Sequence, residues 1–417
     1  NIMVEMGGYL DMGTPTDFIP KNIKSEIIFV LTQAQAAAYV GGPMFQPTDK
    51  GLWTMGEGRW EVHGAPLVRT WSKLTQDAPV GTISVTVENN VNDWYIGGKI
   101  VVTQTSNPTP KSPDQVVLEN ELRTITAITP LPDGKTQLTL DSPLGFFHQG
   151  LGEMRGEVGL LTRNILFTTD IVGVDEKLLE SNTQTSKAGR KFAHTMYMHG
   201  ALGNIQYAEF KHMGHFRTLA RYPVHPHIMG DTSRGMILRG NAVWFSGNRA
   251  YTLHESSGVL VEDTIAFNTV SSPYFIEKTD NMHGVTCAEI TKDVTYPPED
   301  NVFNHNLGVE AMPVVARVDL IDSDPQDMSI FWDNQGNYQS FFGNVTVGAF
   351  ANSGDGFGKN GGFGAGDEVC GVGVPGKDPY YNFQKNEAHS NRGPGMFTWI
   401  SNGLSYDFSD LFSWRNG

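Results

Sequence analysis

Short runs in which apolar and polar residues alternate, each closed by Gly, Pro, Asn or Asp, recur along almost the whole chain. Alternation has the two-residue period of a β-strand with one buried face, and the closing residues are those that turns prefer. Helical periodicity is confined to two short stretches, 33–39 and 175–179. The clearest strand-like runs are 26–31, 82–87, 98–103 and 136–140. This pattern predicts a nearly all-β protein.

Within the first part of the chain, residues 80–142 predict a small β-barrel-like insert. Its strands are expected at 82–87, 99–103, 122–128 and 136–140. Asp133 and Gly134 lie between the last two runs, and an Asp-Gly pair between two strands is a strong hairpin signal. We therefore expect these two strands to form an antiparallel hairpin.

From about residue 194 onward a degenerate unit recurs, in which Asn or Asp is followed by alternating small and apolar residues. The first two copies begin 22 residues apart, which is one turn of a typical β-helix. Later copies are about 40 residues apart, as expected for coils that carry loop insertions. Asn at a fixed corner tolerates the left-handed conformation and can hydrogen-bond its equivalent in the next coil. The copies lie at 241–246, 263–268, 301–306, 344–349 and 386–391.

This self-similarity predicts a right-handed parallel β-helix, a solenoid whose coils bury their inward side chains against one another. The pattern leaves open a β-sandwich in which the Asn spacing is coincidental. The change of pattern predicts a boundary near residue 165. We expect one β unit over 1–165, with the insert at about 80–142, and the β-helix with its loop insertions over 166–417.

Composition and net charge limit the kinds of molecule that the protein is expected to bind. Only 18% of the 417 residues are charged, 47 are Gly, and the formal net charge is -15. The negative charge argues against nucleic acid, because phosphate binding needs a basic face. It leaves open an anionic polysaccharide, since a local basic groove can lie on an acidic body. Acidic balance also suits bound Ca²⁺, for which the four Asp residues in 319–327 are a candidate although their spacing is not that of an EF-hand.

Three further features concern the cellular location of the protein and its covalent modification. No stretch is apolar enough to predict a transmembrane helix. Cys287 and Cys370 can form one disulfide or none, and Asn344 opens an Asn-Val-Thr sequon that predicts glycosylation. The chain begins at Asn1, so we interpret it as a mature or partial chain whose targeting signal can lie outside it.

Histidines are concentrated in one part of the sequence. His225 and His227 would share a face in an extended strand, which the flanking prolines favour. Neighbouring coils would bring further histidines, basic residues and carboxylates near this pair, and so predict a groove of His, Arg and Glu. More than half of the 12 histidines lie between 194 and 254, namely His194, His199, His212, His215, His225, His227 and His254.

Such a groove suits glycan chemistry, since glycan cleavage needs an acid and a base about one sugar apart. An arginine can bind a uronate carboxylate through its planar fork. The candidate catalytic residues are His225 and His227 as bases, Glu255 and Glu277 as acid or nucleophile, and Asp231 beside them. The candidate substrate-binding residues are Arg221, Arg249, His254, His215 and Lys211.

Two other interpretations use the same residues. His225, His227 and Asp231 form a possible ligand set for a divalent transition metal, although a His-x-His pair alone is a weak signal. Alternatively the residues are structural, because histidines stack in ladders in β-helices and Arg–Asp pairs tie loops together. Arg221 and Asp231 are candidates for such a pair.

Four segments together resemble one family. Gly156–Asn164 is similar to the short motif that joins an eight-glycine domain to a parallel β-helix, and Arg221–Asp231 resembles an Arg-Tyr-Pro-Ile-His-x-His motif. Asn248–His254 resembles an Asn-Arg-Ala-x-x-x-His motif, and Tyr274–Glu277 a Phe-x-Glu segment. The family includes the cell-migration-inducing hyaluronan-binding protein, its transmembrane relative and the fibrocystin-like proteins. The sequence differs from the family pattern at Ala220, Pro226, Glu255 and Lys278.

The resemblance implies a parallel β-helix after an eight-glycine-domain-like region, an extracellular or cell-surface location and contact with glycans. Some members are hyaluronan depolymerases and others are receptor-like or structural. Three functions are therefore open: an enzyme that hydrolyses or eliminates a hyaluronan-like polymer, a non-catalytic binding or adhesive ectodomain, and a self-associating structural subunit of an extracellular filament or coat.

Overall fold

Three parallel β-sheets form most of the structure, a computed structural model that describes residues 1–38, 45–107, 110–112, 115–116, 118–277, 300–312, 329–334, 339–349, 363–365, 382–398 and 407–416. Along the chain the strands enter the first, second and third sheets in turn, so that each circuit adds one strand to every sheet. This arrangement is a parallel β-helix, and it confirms the all-β solenoid that the repeats predict.

The described residues contribute nine strands to each of the three sheets. The first sheet contains β1 (Ile2–Val4), β4 (Gly51–Thr54), β15 (His194–Met198), β18 (Pro226–Gly230), β21 (Tyr251–Ser256), β24 (Tyr274–Glu277), β27 (Phe331–Asn334), β30 (Phe363–Ala365) and β33 (Met396–Thr398). The second contains β2 (Tyr9–Met12), β5 (Arg59–His63), β16 (Ile205–Gln206), β19 (Ile237–Arg239), β22 (Leu260–Glu262), β25 (Val302–Asn304), β28 (Ser340–Phe342), β31 (Asn382–Gln384) and β34 (Asp407–Ser409). The third contains β3 (Ser25–Leu31), β14 (Ile165–Ile171), β17 (Ala208–Lys211), β20 (Ala242–Trp244), β23 (Ile265–Val270), β26 (Leu307–Met312), β29 (Val345–Ala349), β32 (Glu387–His389) and β35 (Phe412–Trp414).

The short helices lie at the ends of strands. Thr32 caps α1 in a capping box with Gln35, and Asp175 caps α2 through its side chain. Both helices confirm the helical stretches predicted from sequence, with slightly shorter bounds. The helices are α1 (Gln33–Ala37), α2 (Glu176–Leu179), α3 (Gln184–Gly189) and a single 3₁₀ turn (Asp231–Ser233).

A ladder of buried polar side chains lines the corner before the third sheet. The Asn306 amide donates to Asn344 Oδ1 at 2.9 Å, and the Asn344 amide donates to Asn386 Oδ1 at the same distance. Thr264 occupies the same corner one coil earlier and donates to Asn306 Oδ1 at 2.7 Å. In these two coils the corner is therefore occupied by Thr264 and Asn306. The repeat units identified in the sequence begin earlier, at 263 and 301, so their first residues do not lie at the corner.

Between β5 and β14 the chain leaves the solenoid and forms a six-stranded antiparallel sheet. Its strands, in spatial order, are β6 (Trp71–Lys73), β13 (Glu157–Leu160), β8 (Lys99–Val102), β11 (Glu121–Pro130), β12 (Thr136–Leu140) and β7 (Ser84–Val87). The Glu88 amide donates to the Lys73 carbonyl at 2.9 Å, and this bond closes the sheet into a barrel. The predicted barrel-like insert and its β11–β12 hairpin are confirmed, although the sheet also contains β6 and β13, which lie outside the expected 80–142. A separate pair, β9 (Pro110–Ser112) and β10 (Gln115–Val116), extends from it.

The barrel is an insertion into one solenoid coil. The Ala65 amide donates to Asn164 Oδ1 at 2.9 Å, so the chain leaves and re-enters the coil at nearly the same point. Before the barrel, β1 already pairs with β4 and β2 with β5, and β3 pairs with β14 on the other side of the barrel. The structure thus differs from the expected single unit over 1–165: the solenoid begins at Ile2, because parallel pairing joins these strands to coils far along the chain.

The barrel covers the outer face of the third sheet. All six residues of β23 are buried, although alternation would leave half of them facing solvent. Ile265 and Phe267 pack outward against Trp71 and Leu161 of the barrel side, while Ala266 packs in the solenoid core. The two layers lie so close at Gly159 that an added Cβ would stand 3.1 Å from Ile265 Cδ1.

Candidate functional site

A column of polar side chains crosses three neighbouring strands of the first sheet. Parallel pairing places His227 of β18 beside His254 of β21, and His254 beside Glu277 of β24. Neighbouring inward residues Leu253 and Ile276 belong to the solenoid core, so the column faces outward. All three side chains are nevertheless buried.

His225 joins His227 and His254 in a compact group of imidazoles. The His227 and His254 Nδ1 atoms are 3.0 Å apart, and the ring centroids of His225 and His227 are 4.7 Å apart. His225 Nδ1 lies 3.2 Å from the Ala220 carbonyl, and the Tyr222 ring packs edge-on against His225. Burial, together with the nearby His227 and His254, holds the pKa of His225 well below its usual range, so this ring is neutral. The structure therefore brings together His225, His227 and His254, and we name them the histidine cluster.

The backbone bends directly after two members of the cluster. Ile228 has φ 50° and Glu255 has φ 42°, both in the left-handed region that L side chains avoid. The register between β18 and β21 shifts at the same place. The turn exposes the Glu255 side chain, which is 21% accessible and whose Oε1 is 3.9 Å from His254 Nε2. Glu255 is thus the solvent-facing carboxylate of this site.

The predicted substrate-binding residue Arg249 makes an internal ion pair instead. Its Nη1 donates to Glu277 Oε2 at 3.0 Å and to the Tyr222 hydroxyl at 3.0 Å. The guanidinium also lies 3.4 Å from the centroid of the Phe275 ring. Glu277 is consequently held by Arg249 under the surface, whereas a catalytic acid or nucleophile needs access to substrate.

Arg221 is also a structural residue. Its guanidinium forms a two-pronged ion pair with Asp49, with N–O distances of 2.7 and 2.9 Å, and both side chains are fully buried. The suggested Arg221–Asp231 pair is therefore wrong. Asp231 is exposed and pairs with Arg234 at 2.7 Å, away from the histidine cluster, so it is no ligand partner of His225 and His227. Sequence spacing gives no signal for Asp49, which lies more than 170 residues from Arg221.

His215 and Lys211 do not join the column. His215 Nε2 lies 2.8 Å from the Ala36 carbonyl and ties α1 to the solenoid, and burial lowers its pKa to about 4. Lys211 lies on β17 of the third sheet, where its ammonium is 2.9 Å from Glu180. Neither position can contribute to a groove on the first sheet.

The predicted glycosylation site is part of the core. The Asn344 side chain is fully buried, and its amide nitrogen donates both to the Phe303 carbonyl and to Asn386. An oligosaccharide cannot be attached to this nitrogen in the folded chain, so the sequon is a coincidence of the asparagine ladder. Cys287, Cys370 and the acidic stretch 319–327 lie outside the described residues.

Sequence reasoning missed a second charged cluster, between the barrel and the third sheet. Lys73 of β6 lies 3.4 Å from Glu157 and also contacts Glu387, and Glu157 is 3.0 Å from His389. Although burial alone raises the pKa of Glu157, the charges of His389 and Lys73 lower it to about 2. The partners are far apart in sequence, so no local motif marks them.

Comparison with known proteins finds one matching family model and several related proteins. Residues 191–396 match the family model described as the CEMIP beta-helix. The chain is 30% identical over 313 residues to mouse fibrocystin-L, a match covering 66% of this chain and 7% of fibrocystin-L. It is 32% identical over 267 residues to a G8 domain-containing protein of Dictyostelium discoideum, covering 64% of this chain and 15% of that protein. The chain thus spans a small part of these curated relatives.

Solved structures give a much weaker likeness. The tailspike gp61 of Pseudomonas phage phi297 is 9% identical with a TM-score of 0.23, covering 94% of this chain and 53% of that one. The Gp54 tailspike of Acinetobacter baumannii bacteriophage AP22, solved with a capsular saccharide, is 9% identical with a TM-score of 0.19, covering 94% and 66%. Such TM-scores mean that the chains do not superpose as wholes. Among the described helices, none has the length and apolarity needed to cross a bilayer.

Proposed function

We propose that this chain is an extracellular or cell-surface protein that binds a hyaluronan-like polysaccharide, because residues 191–396 match the family model described as the CEMIP beta-helix. The binding site is the outer face of the first sheet around His254 and Glu255. The observation that carries the proposal is the solvent-facing Glu255, whose Oε1 is 3.9 Å from Nε2 of His254.

The geometry suits a linear polymer. Successive parallel strands are about 4.8 Å apart, a spacing comparable with the length of one sugar residue. A polymer lying across the strands would therefore meet equivalent positions of neighbouring coils in turn. Glu255 supplies exposed acceptor oxygens for sugar hydroxyl groups, and His254 lies beside it.

A binding assay with a matched control tests this proposal. Fluorescently labelled hyaluronan and other glycosaminoglycans are titrated with the full chain, with Glu255→Ala and with Glu262→Ala. Glu262 is the matched control, because its side chain is 22% exposed and lies on the second sheet. We expect Glu255→Ala to weaken binding about 10-fold, corresponding to about 1.4 kcal/mol, and Glu262→Ala to leave it unchanged. No binding of any polymer, or equal effects of the two variants, would contradict the proposal.

The same incubations test depolymerisation when polymer length is followed by gel filtration. A shortening that is lost in Glu255→Gln would assign Glu255 the role of the acid.

A non-catalytic adhesive or structural role is the second candidate. It is favoured by the internal pairing of Arg249 with Glu277 and of Arg221 with Asp49, which takes both arginines and one predicted acid away from a substrate. Under this alternative, polymer length stays constant at every chelator and metal concentration.

A further inference from the structure

The histidine cluster has the composition of a metal site. Each of His225, His227 and His254 offers one ring nitrogen, and the three nitrogens lie within 4.8 Å of one another. We propose that these three histidines bind one divalent transition-metal ion, for which Zn²⁺ is the fitting probe. The proposal goes beyond glycan binding and does not depend on it, because the ligands all come from this chain.

The hydrogen bonds orient His225 as a ligand. Its Nδ1 is 3.2 Å from the Ala220 carbonyl, which can only accept, so Nδ1 carries the proton and Nε2 carries the lone pair. Nε2 is completely buried and has no hydrogen-bond partner. A backbone carbonyl on one ring nitrogen with the other left for an ion is the arrangement common to metal-binding histidines.

The other two proposed ligands, His227 and His254, lie close to the spacing that a tetrahedral ion requires. On a tetrahedral zinc ion with bonds of about 2.0–2.1 Å, neighbouring ligand nitrogens stand about 3.3 Å apart. The Nδ1 atoms of His227 and His254 are 3.0 Å apart. Because all three nitrogens lie within 4.8 Å of one another, no pair has to close by more than roughly 1.5 Å to reach this spacing. The buried His254 Nε2 also has no hydrogen-bond partner.

The donor set selects the class of ion. Three imidazoles suit zinc, copper, nickel or iron, whereas Ca²⁺ and Mg²⁺ prefer oxygen ligands. Three protein ligands leave a fourth position on a tetrahedral ion for a water molecule or a substrate oxygen. Glu255 is a carboxylate with solvent access whose Oε1 lies 3.9 Å from His254 Nε2, and it could accept a proton from such a water.

Two other groups of possible ligands fit a metal less well. In the group of Glu157, Glu387 and His389, the Lys73 ammonium already supplies the positive charge. In the group of Glu176, Glu180 and His212, the Lys211 ammonium lies 2.9 Å from Glu180. Among the described residues, the histidine cluster is the group with no such cation inside it.

A titration with metal alone tests the proposal. The full chain is treated with chelator, dialysed, and titrated with Co²⁺, whose visible absorption reports imidazole ligands, and then with Zn²⁺ in competition. We expect one equivalent to bind, and binding to weaken at least about 100-fold in His225→Ala and in His254→Ala. Two control variants should bind metal normally. His199→Ala removes an exposed histidine, and Glu180→Gln alters the group of Glu176, Glu180 and His212.

Circular dichroism without metal shows whether each variant folds. If a cluster variant does not fold, X-ray absorption of the zinc-loaded unmutated chain provides the readout, with three imidazole ligands expected. Absence of bound metal, fewer than three imidazoles, or a loss of binding in Glu180→Gln or His199→Ala would overturn the proposal. Metal binding without polysaccharide binding would overturn the glycan function alone.

Discussion

Glu310 of β26 is a carboxyl group that the fold keeps out of water. Its two oxygens accept hydrogen bonds from Asn120 at 2.9 Å and Asn268 at 2.7 Å. Burial raises the pKa of Glu310 to about 7, despite these donors and the charge of Arg190. Because the folded chain holds this proton more tightly than the unfolded chain, Glu310 gives a stability term that is complete below about pH 4.5 and is lost as the pH rises through about 7.

We therefore predict that Glu310→Gln flattens the pH dependence of stability. Between pH 5 and 8 the free energy of unfolding of the unmutated chain should fall by up to roughly 3 kcal/mol more than that of the variant. Urea denaturation at several pH values measures the difference. Parallel curves for the two proteins would show that Glu310 ionises with an ordinary pKa.

At the residue scale, buried ion pairs also determine the role of the two arginines near the histidine cluster. Arg221 and Arg249 are both buried, and each faces a carboxylate within 3.0 Å. An isolated buried charge is very costly, so such pairs persist where both partners are present. The two arginines therefore support the loop of Ala220 and Tyr222, which in turn positions His225.

At the scale of elements, the contact between the barrel and the third sheet combines apolar packing with a buried charged cluster. Trp71 stacks on His305 at 4.1 Å and donates to the His305 carbonyl at 2.9 Å. Beside it, Lys73 brings a positive charge to Glu157 and Glu387. We expect these charges to specify the alignment of the two layers more narrowly than apolar contacts alone would.

Lys73→Met should destabilise the chain by about 3–5 kcal/mol, because it leaves two buried carboxylates without their cation. The matched control is Lys135→Met, whose partner Asp133 is exposed and whose loss should cost no more than about 1 kcal/mol. Chemical denaturation of both variants measures the comparison. Equal small effects would mean that His389 alone balances Glu157.

The whole molecule is a solenoid with a barrel inserted into one of its coils. Ala65 and Asn164 are hydrogen-bonded at the junction, so the coil can close without the barrel. The barrel nevertheless covers a large apolar surface of the third sheet. The solenoid side chains beneath it are Trp244, Phe245, Ile265, Phe267, Leu307, Val309, Val345 and Val347.

Replacing residues 66–163 by a short Gly-Ser linker should leave the solenoid folded but expose this apolar face. We expect strong binding of a hydrophobic dye and self-association in ultracentrifugation, since monomeric proteins rarely expose such patches. Retained β circular dichroism is the control for folding. A variant that stays monomeric and binds no dye would show that the barrel does not shield the third sheet.

The sequence by itself determined the main architecture, an all-β solenoid with a barrel-like insert. Alternating runs, Asn at coil corners and the Asp-Gly hairpin are local features, and local chemistry fixes strands, turns and the family motifs. It also placed His225 and His227 on one face, because that requires only a two-residue period.

Tertiary structure decided which residues meet. His254 rather than Asp231 completes the histidine cluster, Asp49 rather than Asp231 pairs with Arg221, and Asn344 lies in a ladder instead of on the surface. Each outcome depends on the register between coils, and loops of different length shift that register along the sequence. The solenoid begins at Ile2 for the same reason: β1 pairs with β4, and β4 pairs with β15, which follows the barrel in the chain.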